Sequence, residues 1–140
     1  GTGGTIMGFH RYFSQINEDF QAFPVFPVNN SDGSHRIEGI GDSFVPEILS
    51  LDELGPLMRV SDTDAIAVAR LINKNGLSVG ISSGANLLAA TKKASELKDG
   101  AIVGTIFCDD SKKYLSTDLC SESEEKLSHD FKVLDYKVIC

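Results

Sequence analysis

Short β-like apolar segments alternate with helical segments along the whole chain. The β-like segments lie at residues 22–28, 57–60, 77–81, 101–107 and 131–139. Residues 101–107 form a near-continuous apolar run, which is typical of a strand covered on both faces. Strands that alternate with helices in this way predict an α/β fold, with a mainly parallel twisted sheet and helices on both of its faces.

The predicted helices have recognisable starts and stops. Apolar residues recur at helical spacing from Ile6 to Ile16 and again across residues 87–97. A third helix begins after Ser61, a capping residue with Asp64 three positions later, and ends at Asn75-Gly76. Three minor elements complete this outline: a turn at 29–33, a short helix at 46–51 and a helical turn at 114–119.

Charge and cysteine content narrow the class of protein. The formal net charge is −7 and the pI about 4.8, which argues against binding to nucleic acid or to an anionic membrane. No apolar run approaches the roughly 20 residues of a membrane-spanning helix. Cys108, Cys120 and Cys140 are odd in number and lack metal spacing, so reduced thiols in a cytoplasmic protein are favoured. The start at Gly1 without a Met leads us to expect a longer protein.

The opening five residues, Gly1, Thr2, Gly3, Gly4 and Thr5, form a glycine loop directly before a predicted helix. Glycines let backbone N–H groups face outward, the threonines add hydroxyl donors, and the helix dipole favours an anion at this end. A phosphate is the expected ligand, and a flexible start or an ordinary tight turn is the alternative. The loop matches neither the Walker pattern nor the G-x-G-x-x-G fingerprint.

A second cluster of hydroxyls lies at residues 80–84, Gly-Ile-Ser-Ser-Gly, where a predicted strand runs into a helix. Ligands collect at this edge of open α/β sheets. Simple helix capping by Ser82 or Ser83 is the alternative. The segment lacks the spacing of a nucleophile elbow.

Other polar residues give weaker signals. The histidines, His10, His35 and His129, are far apart in sequence, so no metal site is predicted. Asp109 and Asp110 follow a predicted strand, and a solvated loop is the favoured interpretation.

Four segments taken in order carry a family resemblance. They are residues 1–8, residues 35–41 with 44–46, residues 80–85 and residues 109–117. Together they resemble the C-terminal part of the cysteine synthase (O-acetylserine sulfhydrylase) and cystathionine β-synthase family, pyridoxal-phosphate (PLP) enzymes of fold type II. The resemblance covers residues 1–119.

The resemblance implies a role for each motif. Residues Gly1 to Thr5 would hold the PLP phosphate, and Ser82 would hydrogen-bond the pyridine nitrogen. Gly39, Ile40 and Gly41 would line the substrate side of the ring. The implied reaction is β-replacement at serine derivatives, in which cysteine is made from O-acetylserine and sulfide.

Two other functions remain open at this point. One is a cystathionine β-synthase-type condensation with homocysteine, and the other is a truncated, non-catalytic relative that binds a partner protein. The resemblance also implies a cytoplasmic homodimer that could bind serine acetyltransferase.

The chain departs from the family pattern in ways that bear on catalysis. The family's Schiff-base lysine and substrate-binding asparagine loop precede the glycine loop, whereas the first lysine here is Lys74. No catalytic residue is therefore assigned in this chain. Residues 1–140 are expected to be the C-terminal portion of the large PLP-binding domain, inactive alone. Cys108 stands where the family commonly has proline.

Overall fold

The computed structural model describes residues 1–28, 34–41 and 44–121. Its helices are α1 (Gly4–Phe13), α2 (Asp62–Lys74) and α3 (Ile81–Glu96), and its strands are β1 (Val25–Pro27) and β2 (Met58–Val60). Short 3₁₀ turns lie at Leu51–Glu53, Ser111–Tyr114 and Asp118–Cys120. None of the helices in these ranges has the length and apolar character needed to cross a membrane.

Strands β1 and β2 form a parallel pair in which Val25 lies opposite Met58 and Pro27 opposite Val60. Proline has no N–H to donate, so a strand that contains it forms a shorter ladder. The carbonyl of Pro24 still accepts from the Met58 N–H at 2.9 Å. The strands predicted at residues 22–28 and 57–60 are confirmed, as is the α/β class with a parallel sheet.

Helices α2 and α3 pack against each other and supply most of the core. Their fully buried apolar residues include Ala65, Ile66, Val68, Ala69 and Ile72 of α2, and Ile81, Ala85, Leu88 and Ala89 of α3. Gly84 makes this contact possible, because a Cβ on it would clash with the Ala65 carbonyl and lie 2.8 Å from the Ala69 nitrogen. Gly84 therefore serves helix packing.

The predicted limits of α2 agree with the structure, whereas the predicted end of α1 does not. The Ser61 side chain accepts a hydrogen bond from the Asp64 N–H, as the capping motif predicts, and α2 ends at Lys74 just before Asn75-Gly76. The helix predicted from Ile6 to Ile16 is α1, which already ends at Phe13. Of its residues only Met7 is buried, and Phe9, like Ile16 beyond the helix, is exposed.

Two predicted elements near residues 46–51 and 77–81 are wrong. Residues 46–51 form a single turn closed by the Leu49 N–H on the Pro46 carbonyl, and a 3₁₀ turn begins at Leu51. Residues 77–80 form no strand, and Ile81 already belongs to α3. The Asn73 side chain binds both the N–H and the carbonyl of Val79, at 2.7 and 3.2 Å. These backbone groups are thus unavailable to a sheet.

The strand predicted at residues 101–107 is also wrong. This segment is mostly exposed, with Ile102 96% exposed, and within the described ranges β1 and β2 pair only with each other. A single side-chain hydrogen bond, from Asn86 Nδ2 to the Ile106 carbonyl at 3.0 Å, ties it to α3. The turn at 29–33, the strand at 131–139, His129 and Cys140 lie outside the described residues.

Candidate functional site

The N-terminus of α1 is open to an anion. Gly3 precedes the helix in the left-handed conformation, with φ of 81°, and gives it no side-chain cap. The first turn has no acidic residue, and the Gly4 N–H has only a long contact, 3.4 Å, to Thr2 Oγ1. The side chains of Thr2 and Thr5 are exposed beside these N–H groups. Free N–H groups and nearby hydroxyls at the positive end of a helix suit a phosphate.

Gly3 cannot be replaced without strain. Its positive φ is unfavourable for a residue with a side chain, and a Cβ would lie 2.9 Å from Leu49 Cβ. The glycine at this position therefore allows both the turn into α1 and the close approach of Leu49. The tight-turn alternative and the anion-binding interpretation are compatible at Gly3, because the turn is what exposes the N–H groups.

The glycine loop contacts the segment of residues 39–41, which the family resemblance assigns to the substrate side of the ring. The Gly1 nitrogen donates to the Gly39 carbonyl, a contact between residues 38 positions apart. Gly39 and Gly41 both have positive φ, 81° and 71°, as expected for a segment with unusual backbone. A Cβ on Gly41 would clash with the Pro27 ring. Residues 39–41 thus lie between the glycine loop and the end of β1.

Ser82 and Ser83 do not cap α3. The N-cap is Gly80, which makes no side-chain hydrogen bond, so the capping alternative is wrong. Ser83 is fully buried, and its Oγ accepts from the Cys108 N–H at 3.2 Å. Ser82 is 5% exposed, and in the part of the chain that the structure describes its Oγ makes no hydrogen bond. A nearly buried hydroxyl without a protein partner suits a ligand atom.

Asp109 packs onto the start of α3, so the solvated-loop interpretation is wrong for this residue. Its side chain is 15% exposed, its carbonyl accepts from the Gly80 N–H at 3.0 Å, and its Oδ1 occupies the space of a Gly80 Cβ. Oδ2 accepts from the Tyr114 hydroxyl at 2.9 Å, while Oδ1 is buried without a partner. Burial, together with the hydrogen bond to this carboxylate, raises the pKa of Tyr114 to about 12.

The position of Asp109 distinguishes the two helix starts. A carboxylate already lies against the N-terminus of α3, whereas the N-terminus of α1 has none. The phosphate-binding role therefore fits α1, and the start of α3 is left with the uncharged Ser82. Sequence reasoning missed the contact between Asp109 and Gly80, and nothing in the pattern of residues 109–114 indicated it.

Three other polar residues considered in the sequence are Asp110, His10 and His35. Asp110 caps the following 3₁₀ turn by accepting from the Lys112 N–H at 2.8 Å. His10 hydrogen-bonds Ser14, whereas His35 has a buried Nδ1 without a partner. Within the described ranges, no group of His, Cys, Asp and Glu side chains could hold a metal ion.

A known family model matches the part of the chain that contains the start of α1, the glycine segment beside it and Ser82. The family model described as "Pyridoxal-phosphate dependent enzyme" matches residues 1–109. The chain belongs to this family, and the prediction of PLP as cofactor is confirmed. The residues described above are compatible with the group: the uncapped N-terminus of α1 would hold its phosphate, and the Ser82 hydroxyl would meet its ring nitrogen.

Individual relatives show which members of this family the chain resembles. Cysteine synthase B of Campylobacter jejuni is 42% identical over 125 residues, which cover 85% of this chain and 42% of that protein. The hydrogen sulfide-producing enzyme of Fusobacterium nucleatum superposes with a TM-score of 0.82 at 42% identity, over 90% of this chain and 39% of that one.

A third relative carries a different activity in its name. The O-acetylserine dependent cystathionine beta-synthase of Helicobacter pylori gives a TM-score of 0.75 at 37% identity, over 85% of this chain and 41% of that one. The chain thus spans about two fifths of the length of these relatives. The predicted resemblance to the cysteine synthase and cystathionine β-synthase group is confirmed.

Proposed function

We propose that this chain is the C-terminal portion of the large PLP-binding domain of a cysteine synthase, which makes cysteine from O-acetylserine and sulfide. The observation that carries the proposal is the proximity of Gly1 and Gly39: a Cβ on Gly1 would lie 3.6 Å from the Gly39 carbonyl oxygen. It brings an anion-binding helix start next to a glycine segment that leaves room for a small amino acid. The names of the relatives support the reaction class.

The first role of this chain is to bind the cofactor phosphate. Residues Gly1 to Thr5 would hold the phosphate with the first N–H groups of α1 and the hydroxyls of Thr2 and Thr5. Hydrogen bonds to a charged acceptor contribute about 1.5–3 kcal/mol each, roughly twice those between neutral groups. Charge-assisted bonds at this site therefore contribute a substantial part of the cofactor affinity.

The second role belongs to Ser82, which would face the pyridine nitrogen. A hydroxyl is uncharged and cannot keep that nitrogen protonated as a carboxylate would. PLP, when bound, supplies the electron sink for the reaction. With a neutral partner the sink is weaker, which suits loss of a β-leaving group and its replacement better than transamination. Ser82 thus bears on the type of reaction.

The third role is to shape the substrate side of the site. Gly39, Ile40 and Gly41 would line it, with Ile40 packed partly against the core and Gly41 against Pro27. Gly39 leaves space for the substrate, since a Cβ on it would meet no atom within 4 Å, and Ile40 excludes water from one side.

A condensation with homocysteine is the second candidate. It is favoured by the likeness to the O-acetylserine dependent cystathionine beta-synthase of Helicobacter pylori. Both reactions use the same residues of this chain and differ in the sulfur nucleophile. The family resemblance also supports a cytoplasmic homodimer that binds serine acetyltransferase.

The phosphate site can be tested by substituting Thr5 in the full-length protein. Thr5→Val keeps the shape of an exposed side chain and removes one hydroxyl donor. Loss of one charge-assisted hydrogen bond should weaken PLP binding by about tenfold or more, because 1.4 kcal/mol corresponds to a factor of ten. Equilibrium dialysis with PLP measures the dissociation constant.

Gly8→Ala is the matched control for Thr5→Val. A Cβ on Gly8 meets no atom within 4 Å, so the change leaves the start of α1 as it is. PLP affinity should stay within about twofold of the unmodified protein. Equal affinity in Thr5→Val and Gly8→Ala would contradict the phosphate site. Supplying O-acetylserine with sulfide or with homocysteine then shows whether cysteine or cystathionine is the main product.

A further inference from the structure

A buried carboxylate at the start of α2 pairs with an arginine from the 34–41 segment. Asp62 is 5% exposed, and its Oδ2 accepts two hydrogen bonds from Arg36, one from the backbone N–H and one from Nε, both at 3.1 Å. Oδ1 accepts from the Thr63 N–H at 3.1 Å. Capping of α2 is already provided by Ser61, so the bonds to Arg36 are additional to what the helix needs.

Arg36 connects this carboxylate to a third part of the chain. Its Nη1 donates to Asp118, which lies in the last described 3₁₀ turn. The same turn is held to α2 by Arg70, whose Nε donates to the Leu119 carbonyl at 3.2 Å. Arginine can serve two carboxylates at once because its planar fork offers several donors in fixed directions. Residue 36 is thereby fixed in both backbone and side chain.

The fixed residue lies three positions before Gly39. Between them Ile37 is fully buried, which holds the chain against the core. At the far end Gly41 packs against Pro27, and in the middle the Gly39 carbonyl accepts from Gly1. Glycines with positive φ are conformationally free in an unfolded segment, so their conformation must be held by contacts at their flanks. Arg36 provides the contact on the N-terminal side.

We propose that Asp62 is a positioning residue for residues 39–41: through Arg36 it holds this segment in the conformation that receives the amino-acid substrate. The inference rests on the proposed function, which places residues 39–41 on the substrate side. Asp62 touches neither cofactor nor substrate in this role. It acts by removing conformational freedom from the segment before the substrate arrives, which lowers the entropic cost of binding.

The test uses Asp62→Asn in the full-length protein loaded with PLP. Asparagine keeps an oxygen that can accept from the Arg36 N–H, so the variant retains the fold while losing the charged pair with the guanidinium. Hydrogen–deuterium exchange of residues 37–41 should become at least about fivefold faster. Exchange in the α2 core should stay within about twofold. Binding of O-acetylserine, followed by the visible absorbance of bound PLP, should weaken about fivefold or more, which is roughly 1 kcal/mol.

Asp64→Asn is the matched control, because it makes the same chemical change in the same turn of α2 without touching Arg36. It should leave the exchange of residues 37–41 and the O-acetylserine affinity within about twofold. Arg36→Lys is the second variant, since lysine keeps the charge but cannot reach two carboxylates with a rigid fork. It should reproduce the effects of Asp62→Asn with PLP retention unchanged.

Two results would overturn the inference. One is unchanged exchange of residues 37–41 in both Asp62→Asn and Arg36→Lys. The other is unchanged O-acetylserine affinity in variants whose melting temperature alone has fallen, because that pattern marks a purely structural pair. If the unmodified protein gives no absorbance change with O-acetylserine, the proposed function fails, and the exchange of residues 37–41 alone decides whether Asp62 positions the segment.

Discussion

Two neighbouring serines at the start of α3 have different surroundings, although both are nearly or fully buried. Ser83 Oγ accepts from the Cys108 N–H, and this bond ties the segment after residue 107 to the helix. Ser82 Oγ has no such partner within the described ranges. A side chain that serves the fold should matter with or without cofactor, and one that serves a ligand should matter only when the ligand is bound.

Single alanine substitutions separate these roles. Without PLP, Ser83→Ala should lower the free energy of unfolding by about 0.5–1.5 kcal/mol, because the Cys108 N–H loses its acceptor. Ser82→Ala should change it by less than about 0.5 kcal/mol, since no hydrogen bond is lost. Urea unfolding of the cofactor-free protein measures both. Equal losses in the two variants would make Ser82 a structural residue.

With PLP bound, the order of the two serines should reverse. Ser82→Ala should alter PLP retention and the visible spectrum, and Ser82→Asp should shift the spectrum further, because a carboxylate favours the protonated ring nitrogen. Ser83→Ala should leave the spectrum unchanged. A spectrum that is insensitive to Ser82→Asp would contradict the contact with the ring nitrogen.

At the scale of elements, the contact between α2 and α3 depends on the absence of a side chain at Gly84. Gly84→Ala would place a methyl group against the Ala65 carbonyl and 2.8 Å from the Ala69 nitrogen, and both are backbone atoms that cannot rotate away. Overpacking of this kind typically costs about 1–3 kcal/mol. We expect a loss of that size in urea unfolding. A Gly84→Ala protein as stable as the unmodified one would contradict this, because α2 and α3 would then accommodate the methyl group without loss of stability.

The same elements show what a single sequence can predict. Local signals were sufficient for α2, whose Ser61 cap and Asn75-Gly76 stop act within a few residues, and for the proline-limited β1. They were insufficient at residues 77–81 and 101–107. A strand is defined by its hydrogen-bonding neighbour, and apolar composition does not reveal whether a neighbour is available. At Val79 the backbone N–H and carbonyl are hydrogen-bonded to the Asn73 side chain and cannot pair with a strand.

The site shows the same limit. The unusual backbone of Gly3, Gly39 and Gly41 could be predicted, because glycine marks such positions. The binding roles of the glycine loop, residues 39–41 and Ser82 come from four ordered segments that resemble a family, and they stay predictions. The carboxylate of Asp109 over Gly80 could not be predicted, since it depends on the three-dimensional return of residue 109 to the start of α3.

For the whole molecule, the contacts of Arg36 join the 34–41 segment, α2 and the 3₁₀ turn at Asp118–Cys120. Through Asp62 they also make the free energy of unfolding depend on pH in the acid range. Burial of Asp62 favours its neutral form, but the hydrogen bonds and charge of Arg36 outweigh burial and lower its pKa below 3.8. As pH falls, the unfolded chain therefore takes up this proton first. The stabilisation by Asp62 is present at neutral pH and is lost progressively below about pH 4.

Urea unfolding between neutral pH and about pH 2.5 tests this contribution. The unmodified protein should lose stability over the acid part of that range. Asp62→Asn should be less stable at neutral pH and should show a smaller further loss on acidification, because it has no carboxylate to protonate. Parallel curves for the two proteins would show that Asp62 does not contribute to the acid response.

The exposed segment 101–107 also affects how the chain behaves in solution. It is uncharged, rich in β-branched and aromatic residues and without proline, which is the composition that promotes aggregation through intermolecular strand pairing. Charged residues flank it on both sides, with Lys98 and Asp99 before it and Asp109 and Asp110 after it. Such gatekeepers oppose the stacking of identical strands, because like charges would be brought into register. The charges at the two ends therefore oppose aggregation of this segment.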